Sequence, residues 1–290
     1  MSDRMSVDLH IHSTMSDGTM SPTEIVDLAY KKGLSCIALT DHDTVAGNQE
    51  AQERGDVVGL EVISGMELSV SFEEFNVHLL GYLIDSENVS LLRSLHTLQE
   101  ARETRNREIL HILEVSGIHI TEKELQKVSG TGQTGRPHIA KILMEKKVVR
   151  SMDEAFEKYL GRDGSAYVSR FVLDMKSAVD VIHKAGGLAV VAHPYHLIKN
   201  DMISGEILFR LKELGVDGIE TYYPTHSRKF RKQLIKLAEK YGLLLTGGSD
   251  YHGTIRRGTT LAGGKGVSVP AELVEIMRRT RNVHQGMSIK

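Results

Sequence analysis

Val7-Asp8-Leu9-His10-Ile11-His12 alternates apolar and polar positions with a period of two, the pattern of a strand with one apolar and one polar face. On that reading Val7, Leu9 and Ile11 pack beneath a helix layer, and His10 and His12 point the same way one pleat repeat apart. A turn-rich loop follows. Ser21 then reads as an N-cap, with Pro22 in the first turn and Glu24 three positions after the cap, so a helix is expected from Pro22 to Lys32, ending at Gly33. Cys36–Leu39 is a short apolar strand, which completes a βαβ unit and predicts parallel strands with a right-handed crossover.

The rhythm continues along the chain. A helix is expected from Val45 to Glu53, then strands at Glu61–Gly65 and Asn76–Tyr82. Further on, strands at Leu188–Ala192, Gly218–Thr221 and Leu243–Thr246 alternate with helices at Lys176–Lys184, Gly205–Leu214 and Arg228–Tyr241. The seven strands begin near residues 7, 36, 62, 77, 189, 219 and 244, and their apolar faces suit a barrel covered by helices.

Residues 88–165 depart from this rhythm. Leu91–Leu113 is a long charged helix. Thr121 caps a second with Glu124 three positions on, and Arg136-Pro137-His138 opens a third after Thr131-Gly132-Gln133-Thr134-Gly135. This segment reads as an all-helical insertion capping the active site, within a barrel formed by residues 1–87 and 166–290. The last segment carries a short helix after Pro270 and a basic tail with Arg278, Arg279, Arg281 and Lys290, best read as a solvated end.

Composition narrows the function classes. The chain has 290 residues, 26% charged, with a formal net charge of -2, so a broad basic surface for nucleic acid is not indicated. The one cysteine, Cys36, lies in an apolar run and reads as a buried structural thiol, which excludes a disulfide framework. Met1-Ser2-Asp3-Arg4 has no apolar signal core and no apolar run is long enough to span a bilayer, so the expected location is cytoplasmic, with no membrane contact.

The chemistry lies in the histidines. His12, His42, Glu67, His193, Asp250 and His252 fall at or just after strand ends, His10 and His78 fall within strands, and Asp17 is in the first loop. Barrels carry their active sites at the C-terminal ends of the strands. Six imidazoles and three carboxylates exceed what one ion needs, so the set implies two or three divalent transition-metal ions, with Mn2+, Fe2+ and Zn2+ all suited to such ligands. His96, His111, His119, His183 and His284 have no such setting, and His196 and His226 are intermediate.

Taken in order, Asp8-Leu9-His10-Ile11-His12-Ser13, Ser16-Asp17-Gly18-Thr19, Thr40-Asp41-His42-Asp43-Thr44, Gly65-Met66-Glu67, His78, Ala192-His193-Pro194 and Gly248-Ser249-Asp250-Tyr251-His252-Gly253 resemble the PHP (polymerase and histidinol phosphatase) superfamily. Gly135-Arg136-Pro137-His138-Ile139-Ala140 points to its bacterial 3',5'-nucleoside bisphosphate phosphatase and 5'-3' exoribonuclease subgroup. The resemblance implies an α/β fold, a distorted (β/α)7 barrel, with three metals of which manganese is the usual one. It implies that His10, His12, Glu67 and Asp250 hold one ion, that Glu67 bridges to a second held by His78 and His193, and that Asp17, His42 and His252 hold a third.

The activity it implies is hydrolysis of a nucleotide phosphate monoester by a metal-bridging hydroxide, foremost the 3'-phosphate of 3',5'-bisphosphonucleotides. The substrate is then a small phosphate ester, with short RNA as an alternative and no stable protein partner. Histidinol phosphate hydrolysis and a non-catalytic module are the further alternatives. Arg136 and His138, beside a helix start, are candidates for binding substrate phosphate or assisting the leaving oxygen, alongside Asp17 and Asp250. Tyr222 and His226, with Tyr223, follow the sixth strand and are candidates for contact with a base, and Arg170 is a weaker phosphate candidate.

Overall fold

A computed structural model of the chain describes residues 6–130, 132–199, 202–255, 259–262 and 268–286. Thr131 of the glycine-rich loop and Lys290 of the basic tail lie outside these residues, as does the side chain of His196. The elements run β1 (Ser6–Ile11), α1 (Pro22–Lys31), β2 (Cys36–Leu39), α2 (Asn48–Val58), β3 (Glu61–Phe72) and β4 (Phe75–Tyr82). Four helices follow: α3 (Val89–Val115), α4 (Glu122–Ser129), α5 (Arg136–Glu145) and α6 (Met152–Ala155), the last leading into a π-helical turn at Phe156–Leu160. The rest is β5 (Leu173–Asp174), α7 (Met175–Lys184), β6 (Leu188–Val191), β7 (Ile198–Lys199), β8 (Met202–Ile203), α8 (Gly205–Glu213), β9 (Gly218–Tyr222), α9 (Arg228–Tyr241), β10 (Leu244–Gly247), β11 (Val269–Pro270) and α10 (Glu272–His284). No helix among the described residues is long and apolar enough to cross a membrane.

The seven expected strands form one wall in the order β10-β9-β6-β4-β3-β2-β1. The chain just past β10 folds back on β1, where Asp250 N–H donates to the His10 carbonyl at 2.8 Å and His12 N–H donates to the Tyr251 carbonyl at 2.9 Å. These bonds bring the two ends of the wall together into a nearly closed barrel. The capping boxes at Ser21/Glu24 and Thr121/Glu124 are both present, so α1 and α4 start where their sequences direct.

Two details depart from the alternation. First, β4 runs antiparallel to both β3 and β6 instead of parallel. Only Glu73 and Glu74 separate β3 from β4, and Glu73 adopts φ 54°, so the pair is a tight hairpin that leaves no room for a crossover helix. The reversal puts the start of β4, and with it His78, at the end of the barrel where the parallel strands finish. It also extends β3 well past Gly65, so that Glu67 lies inside a strand.

Second, β1 does not keep one apolar face. Its register against β2 shifts between Asp8 and Ile11. Val7 and Leu9 pack with Cys36, Ala38, Ile63, Leu80, Tyr82, Leu188 and Val190, a cluster drawn from strands and closed by Val274 and Met277 of α10. That cluster fills the barrel lumen. Ile11 belongs instead to the outer layer with Ile25, Val26 and Ala29 of α1 and Ala51 of α2. A bulge re-aims side chains in this way. Asp8 turns from the histidines: its carboxylate accepts the Ser249 N–H at 2.8 Å and the Ala262 N–H at 2.9 Å, tying β1 to the chain after β10. Cys36 is buried in the lumen, where burial pushes its thiol up.

The lumen below His10 is therefore dry, and the polar residues are confined to one rim. Helices α3, α7, α8 and α9 cover the outside through Leu91, Leu95, Ala178, Leu208 and Leu234, packed on Leu68, Leu79, Val191 and Ile219. Helices α3 to α6 share a further core built on Ile109, Leu113, Leu125, Ile139 and Leu143.

Candidate metal centre

All nine residues of the histidine–carboxylate set meet at that rim. Glu67, 1% exposed, is at the middle. Its Oε1 lies 2.9 Å from His78 Nδ1 and 2.9 Å from His193 Nε2. Its Oε2 lies 3.0 Å from His42 Nδ1, 3.2 Å from His12 Nε2 and 3.4 Å from His10 Nε2. Asp250 Oδ1 approaches His10 Nε2 at 3.5 Å, His12 Nε2 at 3.3 Å and His252 Nδ1 at 3.4 Å. Asp17 Oδ1 lies 3.3 Å from His252 Nε2, while its Oδ2 is 3.9 Å from His42 Nε2. The donor atoms converge in overlapping groups: His12, Asp17, His42 and His252; His10, His12 and Glu67; His10, His193 and Asp250; His42, Glu67 and His78.

The backbone is shaped to make this possible. A Cβ on Gly248 would meet the His10 nitrogen at 2.4 Å, and one on Gly18 would meet the His12 carbonyl oxygen at 2.3 Å, so only glycine lets these loops close on β1. His193 and Asp250 both hold positive φ, 23° and 53°, a strained conformation found where side chains are aimed for function.

Three observations fit the set to metal ions. His42 Nδ1 and Glu67 Oε2 are buried and have no hydrogen-bond partner among the described residues, so their 3.0 Å approach lacks hydrogen-bond geometry. A shared cation would satisfy both. His10 Nε2 and His12 Nε2 face each other at 3.1 Å, an arrangement that suits ligation as well as a shared proton. The electrostatics also call for positive charge. Burial opposes ionisation of Glu67, yet His78, His42 and His10 hold its carboxyl well below the usual range. Burial likewise opposes a charge on His12, yet Asp250 and Glu67 raise it to about 10. His42 goes the other way, lowered to about 3 mainly by burial. Protons on some imidazoles thus stand where cations would, and a mixed imidazole and carboxylate set suits borderline divalent ions.

Supporting carboxylates surround the set. Glu220, fully buried on β9, accepts from His10 Nδ1 at 3.0 Å and from the His193 N–H at 2.7 Å, which leaves His10 Nε2 directed at Glu67 and Asp250. Asp41 accepts from the Ser13 hydroxyl and the Ser16 hydroxyl, both at 2.6 Å, and fixes the loop that carries Asp17. Tyr223 donates its hydroxyl to Asp250 Oδ2 at 2.7 Å.

Next to the ligands is a cavity of about 490 Å³ lined by Asp17, His42 and His78 on one side and by Arg102, Arg105, Arg136 and Arg170 on the other. Arg102 and Arg170 both donate to Asp43 Oδ2, Arg170 at 2.7 Å. Among the described residues Arg105 donates to Asn106 Oδ1 at 3.0 Å and to no other side chain. Burial first, and then the neighbouring Arg102, Arg136 and Arg170, together lower Arg105 to about 8 against one opposing carboxylate, Asp43. Among the described residues the Nε of Arg102 and one terminal nitrogen of Arg170 are buried without a hydrogen-bond partner. With the exposed Arg162, which also lines the cavity, five guanidiniums against one dedicated carboxylate form a site that an anion completes.

Of the other residues singled out from sequence, Arg136 faces the cavity with its guanidinium 5.8 Å from the Phe156 ring and 5.9 Å from the Tyr167 ring. His138 is buried in the same first turn of α5. Its Nδ1 accepts the Gly135 N–H at 3.1 Å, so the neutral ring carries its proton on Nε2. Burial lowers its pKa. Tyr222 does not line the cavity and has Arg231 over its ring at 5.8 Å. His226 is buried beside Tyr223, with Nδ1 donating to the Thr221 carbonyl at 3.0 Å. Sequence reasoning passed over Arg102 and Arg105, which belong to a long charged helix whose default is a solvated face.

A barrel rim that gathers six imidazoles and three carboxylates beside a buried arginine cluster defines a metal-dependent hydrolase of phosphate esters. Comparison with known proteins agrees. The chain belongs to the PHP domain family, whose pattern matches residues 8–176. It is 36% identical over 245 residues to a 5'-3' exoribonuclease of Haemophilus influenzae, covering 84% of this chain and 89% of that protein. It is 32% identical over 248 residues to a 3',5'-nucleoside bisphosphate phosphatase of Chromobacterium violaceum, covering 85% of this chain and 87% of that one. The crystal structure of a predicted metal-dependent phosphoesterase from Bifidobacterium adolescentis superposes with a TM-score of 0.85 at 28% identity, over 95% of this chain and 96% of that one. The protein is a metal-dependent phosphoesterase, a hydrolase acting on phosphoric ester bonds.

Proposed function

We propose that the protein removes the 3'-phosphate from a 3',5'-bisphosphonucleotide. The observation that carries this reading is the placement of five arginines, Arg102, Arg105, Arg136, Arg162 and Arg170, in the same cavity as Asp17, His42 and His78. A monophosphate needs one anion site, and the metal ligands provide it. The guanidiniums of Arg102, Arg105, Arg136 and Arg170 provide a second, suited to a phosphate that is held and not cleaved. The ring faces of Phe156 and Tyr167, which line the same cavity, suit a base.

His10, His12, Asp17, His42, Glu67, His78, His193, Asp250 and His252 would hold two or three divalent ions, with manganese, iron and zinc all compatible with the ligand types. When bound, such ions supply electrophilic assistance at phosphorus and an activated water. The chain's own groups do the rest. Glu220 and Tyr223 orient His10 and Asp250. Asp43 holds Arg102 and Arg170 in place before substrate arrives. Neutral His138, buried beside Arg136 with its proton on Nε2, is the candidate to protonate a leaving oxygen. The 88–165 segment acts as the cap, because Arg102, Arg105 and Arg136 all come from it.

A second reading, removal of nucleotides from the 5' end of short RNA, is favoured by a cavity of about 690 Å³ on the other side of Arg102, lined by Gln99, Asn106, Gln126 and Gln133. It offers polar space for a further nucleotide. A panel of a 3',5'-bisphosphonucleotide, a 5'-monophosphate, a 5'-phosphorylated short RNA and histidinol phosphate separates the readings. The bisphosphonucleotide is expected to give the highest kcat/KM, and a higher value for the RNA would replace the first reading with the second.

A further inference from the structure

The face of the barrel opposite the active site carries a second convergence of ligand atoms. His183 is in the last turn of α7, Asp217 immediately precedes β9, and His284 ends α10. His183 Nε2 lies 2.8 Å from Asp217 Oδ2. His284 Nε2 lies 3.6 Å from Asp217 Oδ1. That distance is too long for a hydrogen bond, yet the ring is aimed at the carboxylate. The two imidazoles meet edge to face with centroids 5.6 Å apart, and one donor atom from each of the three residues falls within 4.8 Å of the others.

We infer that His183, Asp217 and His284 form a binding site for a single zinc-like divalent cation that clamps α10 to the floor of the barrel. Zinc takes imidazole nitrogen and carboxylate oxygen at about 2.0–2.2 Å in a tetrahedron, which separates neighbouring ligand atoms by about 3.3–3.5 Å. His183 Nε2 stands 2.8 Å from one oxygen of Asp217 and His284 Nε2 stands 3.6 Å from the other, and with one ligand atom from each residue all lie within 4.8 Å, so rotations of the two rings and the carboxylate seat the ion. The side chains of His183 and His284 are 33% and 42% exposed, which leaves the fourth position open to water.

The site is built in advance. Asp217 is 4% exposed and fixed on three sides: its Oδ2 accepts the Ala189 N–H at 2.8 Å, its own N–H donates to the Ala189 carbonyl at 2.8 Å, and its carbonyl accepts the Leu244 N–H at 2.8 Å. The end of α10 is already docked, because Arg281 Nε and Gln285 Nε2 both donate to the Gly186 carbonyl, at 2.9 and 3.1 Å. These bonds bring His284 beside His183 without an ion. The location assigns a structural role. Asp217 stands at the start of a strand whose other end faces the catalytic rim, and α10 places Leu273, Val274 and Met277 against the lumen cluster. A cation there closes the lumen from below.

The test uses the full chain dialysed against micromolar zinc chloride, with crystals of the same sample measured at the zinc absorption edge. The expected result is an anomalous peak among His183, Asp217 and His284, and one fewer zinc per chain in His284→Ala and in His183→Ala. Phosphate release by both variants is expected to stay within about twofold of wild type, and zinc is expected to slow hydrogen exchange in α10 of the wild type at least tenfold but not in His284→Ala. No anomalous peak there, when the rim histidines show one, overturns the proposal, as does unchanged zinc stoichiometry in both variants. Neither result bears on the rim or its substrate.

Discussion

Replacing Arg105 with methionine is expected to stabilise the fold while weakening catalysis. Arg105 is buried among Arg102, Arg136 and Arg170, and its Nε donates to Asn106 Oδ1. Removing a poorly compensated buried charge in favour of a side chain of similar length contributes about 1–4 kcal/mol to stability. The Asn106 oxygen left without its donor costs about 1 kcal/mol. The net gain is about 0–3 kcal/mol, or up to about 6–12 °C in Tm for a chain of this size. In catalysis the sign reverses. A charge-assisted hydrogen bond to substrate phosphate is worth about 1.5–3 kcal/mol, so kcat/KM is expected to fall about 10- to 150-fold. Differential scanning calorimetry with and without inorganic phosphate gives the first quantity, and steady-state phosphate release gives the second. Phosphate should raise Tm more in the wild type than in the variant. An Arg105→Met protein that melts lower and turns over normally would show that Arg105 is a packing residue and not part of an anion site.

Asp250→Ala removes a carboxylate that approaches three imidazoles and is expected to abolish phosphate release; turnover within tenfold of wild type would remove Asp250 from the centre. Glu220→Gln should lower bound metal per chain, or its affinity, about 10- to 100-fold while circular dichroism stays unchanged, because the carboxylate orients His10 without lying among the ligand atoms. Leu80→Ala empties part of the lumen beneath the ligands and is expected to cost about 2–5 kcal/mol in urea unfolding. Glu124 is held at about 2 by its bond to Lys146 first and by the Thr121 cap bonds next. Its folded pKa is below the ordinary 4.5, so its contribution to α4 is present above that value and is lost as pH falls towards 2. Hydrogen-exchange protection factors in α4, corrected for the intrinsic rate at each pH, should therefore fall over that acid window in the wild type and lose this dependence in Glu124→Gln.

Most of the candidate ligands were legible because several strands write them at or near one end. Val7 to His12, Thr40 to Asp43, Ala192-His193 and Gly248 to His252 all place a polar residue just where an apolar run stops, and a barrel gathers those ends. Helix starts with a capping box were equally plain. What failed to read was whatever depended on one or two residues of backbone geometry. The two-residue link at Glu73-Glu74 reverses β4, although the apolar run of β4 alone resembles its parallel neighbours. The shift in β1 sends Leu9 into the lumen and Ile11 outward, against simple alternation. The arginine cluster was hidden for another reason. Arg102 and Arg105 lie in a 27-residue helix rich in charge, and nothing local separates the arginines that enter the cavity from Arg93 and Arg107. Only the packing of α3 across the rim, with Arg102 on Asp43, makes that choice. His183 and His284 read from sequence as histidines without a carboxylate setting, because Asp217 joins them only in the fold, from three separate elements.

The central claim is that one phosphate is cleaved at the histidine–carboxylate rim while another is held by the arginines. The most direct measurement compares kcat/KM for a 3',5'-bisphosphonucleotide with that for the 3'-monophosphate of the same nucleoside, in wild type and in Arg105→Met. The second phosphate should contribute a factor of about 100 in the wild type, the equivalent of about 2.7 kcal/mol, and most of that factor should vanish in the variant. Equal kcat/KM for the two substrates in the wild type would contradict the account.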